Sequence, residues 1–243
     1  MRTPLFKQTS SHPHLMLAEE YVEGPEYSCD FTVENGTVRV IRLAKKIKSS
    51  VMPFGTIQGY ILPGVLPRSV GDHSLHDTLL RGASALGIKR GLCMVDFIVS
   101  NENIRLIEMT PRPGGDCLPH MLKECTGLDM LKTGLDFAAG LPLALPDTKG
   151  VSPCMAIRIH AEKEGILRTI DCRKLAGDPR IKSIHLTQKP GHRIHLPPGD
   201  YDSWLLGHVI MTPLETQHPE SEALAILKKI EVSIDGEKPG EPR

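Results

Sequence analysis

Several things are scarce in this chain of 243 residues, and each scarcity removes a class of function. Lysine and arginine total 29, and aspartate and glutamate also total 29, so no net field draws the chain onto nucleic acid or an anionic membrane. No apolar run approaches the length needed to span a bilayer, and MRTPLFKQTSSHPHLM at the start lacks a signal-peptide h-region. A cytoplasmic location is the default expectation. The cysteines, Cys29, Cys93, Cys117, Cys125, Cys154 and Cys172, contain no C-x-x-C pair, and they read as reduced, mostly buried small hydrophobes. The histidine pairs His73/His76 and His192/His195 lack a third ligand at a readable spacing, so no zinc is assigned. There is no internal repeat. What remains is an ordinary α/β composition, 40% hydrophobic and 4% aromatic, large enough for one big domain or two small ones.

Against that background one stretch carries chemistry. In IRLIEMTPRPGGD, residues 104–116, a strand ending near Glu108 breaks at Pro111, Pro113, Gly114 and Gly115. Arg112 lies on the loop, four residues after the carboxylate. The glycines would let backbone amides approach an anion, and Asp116 could cap the helix that follows. The preceding residues Leu92–Val99 form an apolar, β-rich run that turns at Ser100-Asn101-Glu102-Asn103 and returns as Ile104–Met109, a hairpin that sets Asp96 opposite Glu108. An acid inside an apolar run is costly to bury unless a cation neutralises it. Two solvated acids on an ordinary hairpin would be the competing reading, and Arg112 with the double glycine tips the balance toward a metal-bound phosphate.

Upstream, the segment from Leu15 reads as a strand through Val22, a turn at Glu23-Gly24-Pro25, a strand Glu26–Val33, an Asn35-Gly36 turn and a strand from Thr37 to about Ala44. This is antiparallel meander. A short strand spans Ile57–Leu62, and an amphipathic helix runs from His73 to a stop at Gly87. Two helices, Leu118–Cys125 and Leu128–Ala139, follow the arginine loop. Pro142–Pro153 is a composition break, after which strands and turns lead to a helix over ESEALAILKKIEVSI.

The pattern of an acid, a hairpin and then E-M-x-P-R-x-G-G-D resembles the magnesium- and phosphate-binding end of the ATP-grasp enzymes. It is most similar to the carboxylate–amine ligase branch, including L-amino acid ligases, and more distantly to biotin carboxylase and D-alanine–D-alanine ligase. The resemblance covers about residues 15–234. It implies ATP and Mg²⁺ as cofactors, with Asp96, Glu108 and Thr110 at the metal, Thr110 standing where the family usually has asparagine. It implies that Arg112 stabilises an acylphosphate formed from a carboxylate, which an amine then attacks. EEYVEGPEY, residues 19–27, is similar to the segment that frames the nucleotide: Glu20 and Val22 at the adenine edge through their backbone, Glu19 and Tyr21 beside them, and Glu26 on the ribose hydroxyls. Lys45 or Lys46 would approach the phosphates.

The fold so implied is α+β: a loose lead-in at 1–15, an ATP-grasp C-terminal lobe at 16–145, a small α+β domain at 151–234 in which Lys189, Asp200 and Asp202 are plain turn residues, and a disordered tail at 235–243. The glycine-rich lobe that closes over the triphosphate is not recognisable in residues 1–15, so the expected partners are small-molecule carboxylate and amine substrates and a chain carrying the missing lobes, with a homo-oligomer also possible. The alternative is a non-catalytic binding or scaffold subunit, or a truncated fragment.

Overall fold

The structure is a computed structural model that describes residues 19–49, 51–52, 55–145, 152–216 and 218–236. The lead-in, the first residues of the strand expected from Leu15, most of the tail and the centre of the composition break lie outside the described residues.

Strands β1 (Glu26–Glu34), β2 (Thr37–Lys48), β3 (Ile57–Leu62), β4 (Arg90–Ser100) and β5 (Asn103–Thr110) form much of one large sheet. Its other members are β6 (Cys154–His160), β8 (Ile181–Leu186) and β10 (Leu205–Met211), in the order β5-β4-β1-β2-β3-β6-β10-β8. Neighbouring strands in it are antiparallel. β3 pairs with β6, so the sheet crosses the composition break at 142–153. A second, three-stranded sheet has β7 (Gly165–Asp171) between β11 (Glu231–Asp235) and β9 (Arg193–Ile194).

Both tight hairpins have the expected turn chemistry. Asn35 and Gly36 have φ of 51° and 73°, and Asn101 and Glu102 have 47° and 65°. Two successive positive φ values match the right-handed twist of the flanking strands. Residues 19–22 are not a strand, contrary to expectation; β1 begins at Glu26, after the expected turn. Pro25 has no amide to donate, and its carbonyl accepts from Val99 N–H at 3.0 Å. Likewise, the helix expected over ESEALAILKKIEVSI stops early: α4 is Pro219–Leu227, and the β-branched residues beyond it form β11.

Alternation along the strands gives the large sheet two different faces. On one, Phe31, Val95 and Phe97 pack on Leu75, Leu79 and Ala83 of α1 (Asp72–Ala85), and further along Ile47, Ile157 and Val209 pack with Ala223 and Ile226 of α4. On the other, α2 (Leu118–Thr126) and α3 (Met130–Ala138) cover Ala44, Tyr60, Ala156 and Ile210. This second face is where the polar residues collect.

One cysteine expectation is corrected. Cys125 and Cys154 form a disulfide, because the end of α2 and the start of β6 bring their Cα atoms to 6.2 Å. Cys29, Cys93 and Cys117 are free and buried, and Cys172 is free and half-buried.

Candidate active site

Cross-strand pairs, linked by two steps of two residues along β2 and β6, define a polar row on the second face. Glu108 pairs with Asp96, Asp96 with Ser28 and Ser28 with Ala44. Two residues beyond Ala44, on the same side, Lys46 pairs with Tyr60, and Tyr60 with Ala156. Arg158, two beyond Ala156, pairs with His208, and His208 with His185. Directly paired residues project to the same side of a sheet, so these side chains share one surface.

At the β5 end, the expected opposition of Asp96 and Glu108 is present. Lys46 Nζ lies 2.6 Å from Asp96 Oδ2 and 2.5 Å from Glu26 Oε1, and Lys48 reaches Glu26 Oε2 at 3.3 Å. Burial alone would lower the Lys46 pKa, but the carboxylates of Asp96 and Glu26 hold it above the ordinary lysine range. The remaining oxygen, Asp96 Oδ1, is buried without a hydrogen-bond partner, and so is Thr110 Oγ1. Orphaned oxygens beside a second carboxylate fit a hard cation. Among the described residues no group of three His, Cys, Asp or Glu side chains is placed to hold a metal ion by itself. A divalent ion on Asp96, Glu108 and Thr110 would therefore need further oxygen donors, which the phosphates of a nucleotide carry.

The arginine loop is fixed from beneath. Arg42 is fully buried; its Nε donates to Asp30 Oδ2 at 2.6 Å, its Nη1 to Ser28 O at 3.1 Å and its Nη2 to Ser28 Oγ at 3.3 Å. The other oxygen of Asp30 accepts the Gly114 amide at 2.7 Å. A Cβ on Gly114 would lie 2.9 Å from Arg42 Nη2 and 3.1 Å from Asp30 Oδ1, so a side chain there would push the loop off its anchor. The Gly114 amide is thus committed to Asp30 instead of being open to an anion. Asp116 does not cap α2, whose N-cap is Cys117. It accepts from the Tyr60 hydroxyl at 3.1 Å and lies 3.2 Å from Arg158 Nε. Burial, then the Asp116 charge, push the Tyr60 phenol well above its usual range. Arg112, two residues before the first of these anchors, is exposed, and its Nη1 donates to Pro113 O at 3.0 Å.

Of the other expected site residues, Lys45 is not on this surface: it pairs with Tyr27 and Ile61, whose side chains belong to cores on the opposite face. Glu19, Glu20 and Tyr21 are exposed and Val22 is half-buried, in an irregular segment leading to β1. The approach to Glu26 is tied to β4, where Val99 N–H donates to Pro25 O.

At the far end is a group the sequence did not announce. His120, His185 and His208 have ring centroids 4.8–5.2 Å apart, and His120 Nδ1 is 3.3 Å from His208 Nε2. Burial, then the neighbouring imidazoles, lower the His208 pKa to about 4, so it is neutral at pH 7. Arg158 Nε, despite its approach to Asp116, has no hydrogen bond. His192, by contrast, bonds Ser203 O at 2.8 Å, and Asp200 accepts the Asp202 amide at 2.7 Å, so these act as turn residues.

Known proteins resemble this chain in sequence and in fold. A family model described as an ATP-grasp domain matches residues 3–120. Carnosine synthase 1 of Gallus gallus is 30% identical over 131 residues, which are 54% of this chain and 14% of that protein. The Mus musculus carnosine synthase 1 is 28% identical over 131 residues, 54% of this chain and 16% of its own length. Among solved structures, an L-amino acid ligase from Bacillus licheniformis superposes with a TM-score of 0.71 at 19% identity, covering 89% of this chain and 55% of that one. A phosphoribosylglycinamide synthetase from Anaerococcus prevotii superposes with a TM-score of 0.69 at 20% identity, again over 89% of this chain and 55% of the other. This chain therefore spans about half of those solved proteins and a smaller part of the curated ones. Residues 3–120 thus match the ATP-grasp domain model, and the fold of the chain is that of the L-amino acid ligase structure.

Proposed function

We propose that this chain is the nucleotide- and metal-binding part of an ATP-dependent carboxylate–amine ligase, completed by further lobes that close over the triphosphate. The observation that carries the reading is the pair of orphaned buried oxygens, Asp96 Oδ1 and Thr110 Oγ1, beside Glu108 and one loop away from an exposed arginine. Buried oxygens without partners are uncommon unless a ligand satisfies them.

In this reading Asp96, Glu108 and Thr110 hold Mg²⁺, which supplies charge neutralisation at the phosphate oxygens when bound. Glu26 faces the nucleotide, and Lys46 offers an ammonium to its phosphates. A substrate carboxylate oxygen attacks the terminal phosphorus and ADP leaves, giving an acylphosphate. An amine then attacks the acyl carbon, phosphate departs, and the amine's proton is lost to solvent. Arg112, on the loop held two and four residues later by the Gly114–Asp30 and Asp116 anchors, faces the acylphosphate and the charge that grows on it. The names of the relatives, carnosine synthase and L-amino acid ligase, support amino acids as the substrate class.

The test is amine-dependent ADP release by an assembly of this chain with its completing lobes. Arg112→Ala should lower turnover by about a hundredfold or more while leaving nucleotide affinity within about threefold, the signature of an interaction made in the transition state. Full turnover in Arg112→Ala would remove Arg112 from the chemistry.

A further inference from the structure

The position of Lys46 has a consequence beyond nucleotide contact. Its ammonium, with a side chain only 8% exposed, bridges Glu26 and Asp96 at 2.5 and 2.6 Å, and so occupies one oxygen of the carboxylate that the proposed function assigns to the metal. Asp96 has one oxygen on the ammonium and one orphaned. Glu26 also has both oxygens engaged, by Lys46 and Lys48. Without nucleotide, the site is thus already neutralised by a cation of the chain's own.

We propose that Lys46 is a placeholder cation: it holds Glu26 and Asp96 together in the nucleotide-free chain, weakens metal binding there, and transfers to phosphate oxygens when metal and nucleotide arrive together. This rests on the proposed function, on its metal assignment for the competition at Asp96 and on its nucleotide reading for the transfer to phosphate. A lysine suits the task, because its compact charge sits on a flexible four-carbon stem that can swing between acceptors. Lys48, more exposed on the same carboxylate, can keep Glu26 paired when Lys46 leaves. The consequence is ordered occupancy, in which a bare divalent ion binds poorly and a metal–nucleotide complex binds well.

The experiment titrates the chain with Mn²⁺ alone, with ADP alone and with both, counting bound metal by its paramagnetic resonance signal. Lys46→Met should raise affinity for bare Mn²⁺ by about ten- to a thousandfold, the range by which a neighbouring charge biases a carboxylate. It should also reduce the strengthening of Mn²⁺ binding by ADP, and adding Asp96→Asn should abolish the gain. If Lys46→Met does not fold, Glu26→Gln/Lys46→Met removes one of the two carboxylate charges that Lys46 neutralised and should show the same gain. Bare Mn²⁺ affinity unchanged in the folded variants would overturn the proposal. A gain in Mn²⁺ affinity with no response to ADP in any form would sustain the placeholder and sink the nucleotide reading instead.

Discussion

Replacing Arg42 by methionine should be among the most damaging single changes available in this chain. Methionine keeps much of the length and all of the apolar stem, so the loss is electrostatic. It removes the 2.6 Å ion pair to Asp30 and both bonds to Ser28, and leaves the Asp30 carboxylate buried with only the Gly114 amide. Breaking one side of a buried pair costs about 3–5 kcal/mol, because the remaining charge is uncompensated. Asp30→Asn can still accept from Gly114 but strands the guanidinium, and should cost a similar amount. The double variant Arg42→Met/Asp30→Asn buries no net charge, so its cost should fall well below the sum of the singles. The sole tryptophan, Trp204, is buried and reports unfolding in urea by its fluorescence. A cycle with a coupling energy of about 2 kcal/mol or more fits the reasoning. Additive effects, or a single cost under about 1 kcal/mol, would refute it.

Stability should also fall on mild acidification. The folded pKa of His208 is about 4 against an ordinary 6.5, so the unfolded chain binds its proton first; this contribution is complete above pH 6.5 and is lost as pH drops toward 4. By pH 5 the loss from this residue is about 2 kcal/mol, and urea midpoints of wild type and His208→Asn should converge as pH falls; parallel curves would contradict it. The buried His160, lowered to about 3, should add to the same slope. For the Cys125–Cys154 bond, with a sequence separation of 29, loop-closure entropy gives about 3–4 kcal/mol, so Cys125→Ser should lower the urea midpoint and make it insensitive to reductant. Unchanged stability on reduction of the wild type would show that the bond does not form.

The sequence made the local elements legible where pattern and turn chemistry agree, as in the hairpin through Asn101 and Glu102 that sets Asp96 against Glu108. It left Lys45 and Lys46 undivided, because only the registers of β2 with β1 and β3 decide which faces the carboxylates. The Asp30–Arg42 anchor was missed although its signal was present: each is a charge inside an apolar run, Cys29-Asp30-Phe31 and Ile41-Arg42-Leu43, and the argument applied to Asp96 applied equally there. The histidine group and the disulfide gave no such signal. Their members come from separate elements, α2 with β8 and β10 and α2 with β6, and meet only through the sheet order. Asp116 looked like a helix cap because it precedes α2, but the tertiary partners Tyr60 and Arg158 claim it.

The most direct test of the central claim is calorimetric titration of the chain with a non-hydrolysable ATP analogue, with and without Mg²⁺, in wild type and Asp96→Asn. The account predicts metal-dependent binding in the wild type, lost by about a hundredfold or more when the charge at Asp96 is removed. Binding that ignores Mg²⁺, or that survives Asp96→Asn unchanged, would contradict the assignment of this face as the nucleotide–metal site.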